Sequence, residues 1–128
     1  MTTTALTIAL ALYIEAAGEP ELGIRYVASV LHNRANERNL TYRQVIAQKK
    51  QISGWTKAKR RIKYDEARYE GRNKWELCKR IGTDMAAGRF LPITNATHFY
   101  NPRLANPSWG RKLVGVKVVG NHKFGRLK

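Results

Sequence analysis

Leu12-Tyr13-Ile14-Glu15-Ala16-Ala17-Gly18-Glu19-Pro20 is the stretch on which the reading of this chain turns. Before it, Ala5 to Ile14 is a nearly unbroken apolar run that ends on a single carboxylate. Apolar residues on all sides predict a central buried helix from about Thr3 to Ala17, with the threonines as N-caps. Glu15 then sits in the last turn before a Gly18 cap. There desolvation and the negative end of the helix dipole both favour a protonated carboxyl. Glu19 and Glu21 fall beyond the break, with Glu19 as N-cap, Pro20 at the first helical position and Glu21 in the first turn. The positive end of that second helix favours their ionisation. Neighbouring carboxylates pushed in opposite directions are a usual route to separable acid and base roles. The plain alternative makes Glu15 a last-turn surface residue and the other two ordinary helix-start acids. The apolar run before Glu15 argues for function there.

Outward from this stretch, 128 residues give one expected domain, 1–128, large enough to bury a core without staples. With 43% hydrophobic residues the composition is that of a folded protein. The charge is unusual: 24 Lys and Arg against 9 Asp and Glu leave +15. Such a surface seeks a polyanion, whether nucleic acid, anionic lipid or lipopolysaccharide, or an acidic wall polymer. Cys78 is single, so no internal disulfide is available, and it reads as a small apolar residue on a helix face. The Ala5–Ile14 run has the length of a signal-peptide core. It lacks preceding Lys or Arg and a convincing cleavage site, and is too short to span a bilayer, so no targeting segment is expected.

A second helix is predicted from Pro20 to Arg38, with Ile24, Val27, Val30 and Leu31 inward and Arg25, Asn33 and Arg34 outward. Thr41-Tyr42-Arg43-Gln44 matches a capping box for a short helix to Gln48. Lys49 to Trp55 reads as a loop, and Lys57 to Tyr69 as a basic helical segment whose charges form a solvated face. Asn73 to Glu76 is a second cap-like start, for a helix ending at Gly88 with Leu77, Ile81 and Met85 inward. Ala96 to Pro102 and Asn106 to Trp109 are rich in turn formers and polar aromatics, which suits a loop-built site. Val114 to Val119 and Lys123-Phe124, around a Gly120-Asn121-His122 turn, predict a late β-hairpin. The fold class is mainly α (α+β), with a central buried helix and a small late β element.

His32, His98 and His122 are too scattered for a common zinc spacing, so neither metal nor cofactor is expected. Ser53 and Ser108 lack an elbow motif, and no Gly-rich phosphate loop is present. Glycoside cleavage needs one protonated acid and usually a second carboxylate. Glu15 supplies the first. Glu37, Asp65, Glu66, Glu70, Glu76 and Asp84 all lie in helical, basic or capping contexts, and the sugar-site-like loops hold no acid. That shortage favours a one-carboxylate mechanism in which the substrate supplies its own nucleophile.

Glu15-Ala16-Ala17-Gly18-Glu19-Pro20, Leu31-His32-Asn33-Arg34, Gln51-Ile52-Ser53-Gly54-Trp55, Ala96 to Pro102, Pro107-Ser108-Trp109 and Gly120 to Phe124 occur in that order. Together they closely resemble the SleB-type cell-wall hydrolase family, the spore cortex-lytic domain also found in phage lysins. Ala17 stands where the family typically has Arg, and Gly125 where it has Tyr. The resemblance implies a lysozyme-like, mostly helical fold and lytic transglycosylase activity on peptidoglycan glycan strands. It implies Glu15 as the catalytic acid, with Glu19 ordering the site. On that reading Gln51, Ser53, Thr97, His98, Tyr100 and Asn101 hydrogen-bond substrate, while Trp55 and Trp109 stack on sugars. The bland alternatives are partial core burial for the tryptophans, a loop-fixing bond for His98 and a turn role for His122. Hydrolysis by water, as in a muramidase, is the nearest alternative chemistry. A basic nucleic-acid-binding protein using Lys57–Arg72 with Tyr64 and Tyr69 is the non-enzymatic one, although no nucleic-acid motif is present. Expected partners are peptidoglycan and, through the basic residues, an anionic outer-membrane surface, with no specific nucleic acid and a monomeric state. A phage lysin made in the cytoplasm and acting on the wall fits this composition.

Overall fold

The computed structural model describes residues 1–48, 57, 60–62, 65 and 69–127. Helix α1 spans Thr3–Ala16, and the Thr2 hydroxyl caps it by accepting the Ala5 N–H at 3.0 Å. Helix α2 spans Glu21–Arg38 and α3 Tyr42–Ala47, the latter held by the Thr41–Gln44 capping box. Helix α4 spans Tyr69–Ala86. Strand β1 (His98–Tyr100), a 3-10 turn (Ser108–Lys112), β2 (Leu113–Val119) and β3 (His122–Leu127) follow. The antiparallel sheet has the order β1-β3-β2.

The apolar run becomes the central helix because most of its faces are covered: Ala5, Ile8 through Tyr13 and Ala16 are all buried. Among the described elements it packs most extensively on α4. Gly82 allows that approach, since a Cβ there would lie 2.6 Å from the Ala5 carbonyl and 3.1 Å from the Ala9 nitrogen. Around this crossing Trp75, Leu77, Cys78, Ile81 and Met85 are buried, and Trp75 meets Tyr13 edge-on at 5.6 Å. Burial pushes the Cys78 thiol up to about 12, so it stays neutral and acts as an apolar group. Asp65 is also buried; it accepts from the Tyr13 hydroxyl and pairs with Arg61 at 3.0 Å.

The sheet is fastened to α2. Phe124 is fully buried between Tyr26, at 5.0 Å, and Phe99, stacked at 5.6 Å. Asn33 donates both amide hydrogens, to the Thr94 and Ala96 carbonyls at 2.8 Å each, and so sets the path into β1. Arg126 on β3 forks onto Glu37 of α2 and also reaches the Asn95 carbonyl at 3.1 Å.

Several boundaries differ from expectation. Ala17, in ordinary right-handed geometry, is the C-cap of α1, and Gly18 does not have a positive φ. Pro20, not Glu19, is the N-cap of α2, and no side chain bonds there. Helix α4 begins at Tyr69, so Asn73 lies inside it. Gly71 costs a helix only about 1 kcal/mol, which the buried Trp75–Met85 face offsets. The other end is as predicted: Gly88 (φ 74) follows α4, with Gly88 N–H bonded to Met85 and Arg89 N–H to Asp84. His98–Tyr100, expected in a loop, forms β1 because it pairs with β3. The hairpin of β2 and β3 is as expected.

Candidate active site

Glu15 emerges half-buried from the last turn of α1. Beside it stands Arg34, which the helical period placed on the outward side of α2 and which the structure half-buries. Its Nε donates to the Thr97 carbonyl at 2.6 Å. Burial, and then the nearby Arg38 charge, pull the Arg34 guanidinium below its ordinary value, while the negative charge of Glu15 acts in the opposite sense. Arg34 is therefore bonded at the start of β1 and feels the charge of the carboxylate on α1.

From Thr97 the site continues along β1. The Thr97 hydroxyl lies 2.9 Å from His98 Nδ1, and the Thr97 N–H bonds the Gly125 carbonyl at 2.9 Å. Trp109, carried on the 3-10 turn, packs edge-on to His98 at 5.0 Å and to Tyr100 at 5.5 Å. Gly110 lets Tyr100 lie close, since a Cβ there would approach the phenol oxygen to 3.2 Å. His98, Tyr100 and Trp109 are each only partly buried, so this aromatic row keeps accessible surface. Thr97, His98, Tyr100 and Trp109 are thus gathered in one place.

Asn101 is not presented in the same way. Its side-chain oxygen accepts the Arg103 N–H at 2.9 Å, closing a turn of its own chain. Gln51, Ser53 and Trp55 lie outside the described residues.

Glu19 is 4% exposed. Its carboxylate accepts the Asn121 backbone N–H at 3.1 Å and the Asn121 side-chain amide at 3.3 Å. His122 Nδ1 lies 2.8 Å from Glu19 Oε1, a close contact without hydrogen-bond geometry. Gly120 (φ 58) is required beneath it, because a Cβ would fall 2.4 Å from Glu19 Oε2. Lys74 of α4 donates to the Glu19 carbonyl. Glu19 is therefore a latch joining the α1–α2 junction to the β2–β3 turn and to α4. His122, read as a turn residue, is instead a buried member of that latch. Glu21 faces solvent and pairs with Arg25 at 3.0 Å.

The sequence reading missed Arg34 and the Glu19–Asn121 contact. A signal for the first was present: Arg34 follows the largely apolar Ile24–Leu31 run and precedes Ala35. Among the described residues no group of three or more His, Cys, Asp or Glu side chains could hold a metal ion. An open hollow of about 690 Å³ is lined by Thr4, His32, Asn36, Asn39, Tyr42 and Arg43, among others, and includes no acid. It opens by the start of α1, roughly 16 Å of helix away from Glu15, and is not the candidate site.

The cell wall hydrolase family matches residues 18–125. The chain belongs to the cell wall hydrolase family. The matched stretch takes in Glu19, Arg34 and the whole of β1, and starts three residues after Glu15. Among solved structures, the catalytic domain of the germination-specific lytic transglycosylase SleB from Bacillus anthracis matches with a TM-score of 0.68 and 24% identity. The match covers 98% of this chain and 97% of that one. At that identity the likeness establishes the fold, a lysozyme-like α+β fold that takes in α1. No curated protein matches the chain. Two positions expected to depart from this cell wall hydrolase pattern have clear surroundings here. Ala17 is half-buried, and Gly125 accommodates Leu113, whose Cβ would lie 2.9 Å from a Cβ on Gly125.

Proposed function

We propose that this cell wall hydrolase cleaves the glycosidic bond between N-acetylmuramic acid and N-acetylglucosamine as a lytic transglycosylase, with Glu15 as its single acid and base. The observation that carries the reading is where the carboxylates are. Of the nine acids, Glu66 and Glu70 have no described side chain. Six others are engaged in the frame: Glu19 with Asn121, Glu21 with Arg25, Glu37 with Arg126, Asp65 with Tyr13 and Arg61, Glu76 with Lys79 and Asp84 with Arg89. Glu15, half-buried at the end of α1, lies within reach of the charge of Arg34, whose Nε is bonded to the Thr97 carbonyl at the start of β1.

In the proposed reaction protonated Glu15 gives its proton to the glycosidic oxygen as the bond to muramic acid C1 breaks. The sugar's own 6-hydroxyl oxygen then bonds to C1, and its proton passes to the Glu15 carboxylate. The acid is regenerated and a 1,6-anhydro ring closes, with no second carboxylate consumed. Trp109 and Tyr100 offer rings on which sugar faces can stack, and Thr97 and His98 offer hydrogen bonds. Arg34 holds β1 against α2 and places a positive charge near Glu15 between the two proton transfers. The release of protein-digested glycan ends from purified peptidoglycan, read by mass spectrometry, tests this. Anhydro-muramyl ends are expected. Reducing ends would make the enzyme a muramidase, and cleaved stem peptides alone would overturn the glycosidase reading.

A further inference from the structure

We propose that Lys123, with Val118 beside it, forms a subsite for the peptide that hangs from muramic acid, Lys123 holding one of its carboxylates. This rests on the peptidoglycan-cleaving reading above. Strand alternation places Lys123 on the face of the sheet opposite buried Phe124. On that face the register sets Tyr100, Lys123 and Val118 side by side across β1, β3 and β2. Adjacent strands lie about 4.8 Å apart, so the ammonium stem starts one strand from Tyr100 and Val118 lies one strand further. Tyr100 also packs against Trp109, so the cation borders the aromatic row. Lys123 is partly exposed, and among the described residues no ion pair is formed by it. Val118 is an apolar side chain left 64% exposed.

The substrate has a group that fits this row. A glycan lying along Trp109 and Tyr100 carries its peptide to one side, on the lactyl arm of muramic acid. That peptide bears carboxylates separated by small apolar side chains. A lysine, with a compact charge on a flexible stem, suits a carboxylate whose position varies from one repeat to the next. Lys117 provides the internal comparison. It pairs in register with Phe124, on the other face of the sheet, and is exposed.

The test compares wild type, Lys123→Glu and Lys117→Glu on native peptidoglycan and on the same material with its carboxyl groups converted to methylamides. Both substitutions change net charge equally, so general attraction to the wall falls alike in both. On native material Lys123→Glu should lose about three- to tenfold in kcat/KM relative to Lys117→Glu, the scale of one solvent-accessible charge contact and its reversal. On the amidated material that gap should shrink to less than about twofold on the same scale. Equal losses for the two variants on native material, or a gap that survives amidation, would overturn the subsite. Failure of wild type to release glycan ends from native material would instead overturn the glycosidase reading.

Discussion

Glu15 and Glu19 are four positions apart, yet the structure gives them opposite situations. Glu19 is enclosed, and its partners stand 102 residues further along the chain. Glu15 is half-buried at the end of α1, where its charge is felt by Arg34. Glu19→Gln removes a buried charge from Asn121 and His122, so a loss of roughly 2–4 kcal/mol of stability is expected. A domain of this size should then melt roughly 5–15 °C lower. Glu15→Gln keeps shape and packing, and should melt with wild type while activity falls by about a hundredfold to ten-thousandfold, the range for losing a general acid. Melting curves and peptidoglycan turnover on the same preparations check both. A Glu19→Gln protein that melts normally and is inactive, beside an active Glu15→Gln, would move the acid to Glu19, across Gly18, and overturn the assignment to Glu15. The place of Glu15 in the last turn of a buried helix was legible in the sequence, because a local apolar run ends on it. The contacts of Glu19 with Asn121 and of Arg34 with Thr97 were not, since no local pattern encodes a partner so far along the chain.

At the scale of elements, the Thr41–Gln44 capping box, the Leu77–Ile81–Met85 stripe and the β2–β3 hairpin form as read, whereas the caps read at Gly18, Glu19 and Asn73 do not. Strand β1 escaped because three residues between turn formers carry no period of their own; their extended form comes from pairing with β3. The crossing of α1 and α4 is a further property of two elements together. In a helix interior Gly→Ala ordinarily stabilises by about 1 kcal/mol. At Gly82 the new Cβ would meet the Ala5 carbonyl at 2.6 Å, backbone that cannot swing aside. Gly82→Ala should therefore destabilise by about 1–3 kcal/mol, the usual cost of overpacking. Urea unfolding decides the sign. A gain in stability would show that the two helices separate freely and that their close approach does not fix α1.

For the whole molecule the excess charge is the dominant property, and the basic segment accounts for little of it. Between Lys57 and Arg72 seven Lys and Arg stand against Asp65, Glu66 and Glu70, a net of +4 from the total of +15. The remaining +11 is spread over the rest of the chain. Attraction to an anionic wall should then be a property of the entire surface, weakened by salt over a Debye length of about 10 Å at 0.1 M. Lys57, Lys59, Arg60 and Lys63 can be changed together to Gln, lowering the charge from +15 to +11. Arg61 is left in place because it pairs with buried Asp65, whose loss of a partner would confuse folding with binding. In a Glu15→Gln background, so that the wall is not digested, co-sedimentation with purified peptidoglycan should show release at lower salt than for the parent. Binding at low salt should persist, because most of the positive surface remains. Complete loss of binding at low salt would place the wall contact in that segment alone. An unchanged release point would mean that these four side chains contribute nothing to the attraction.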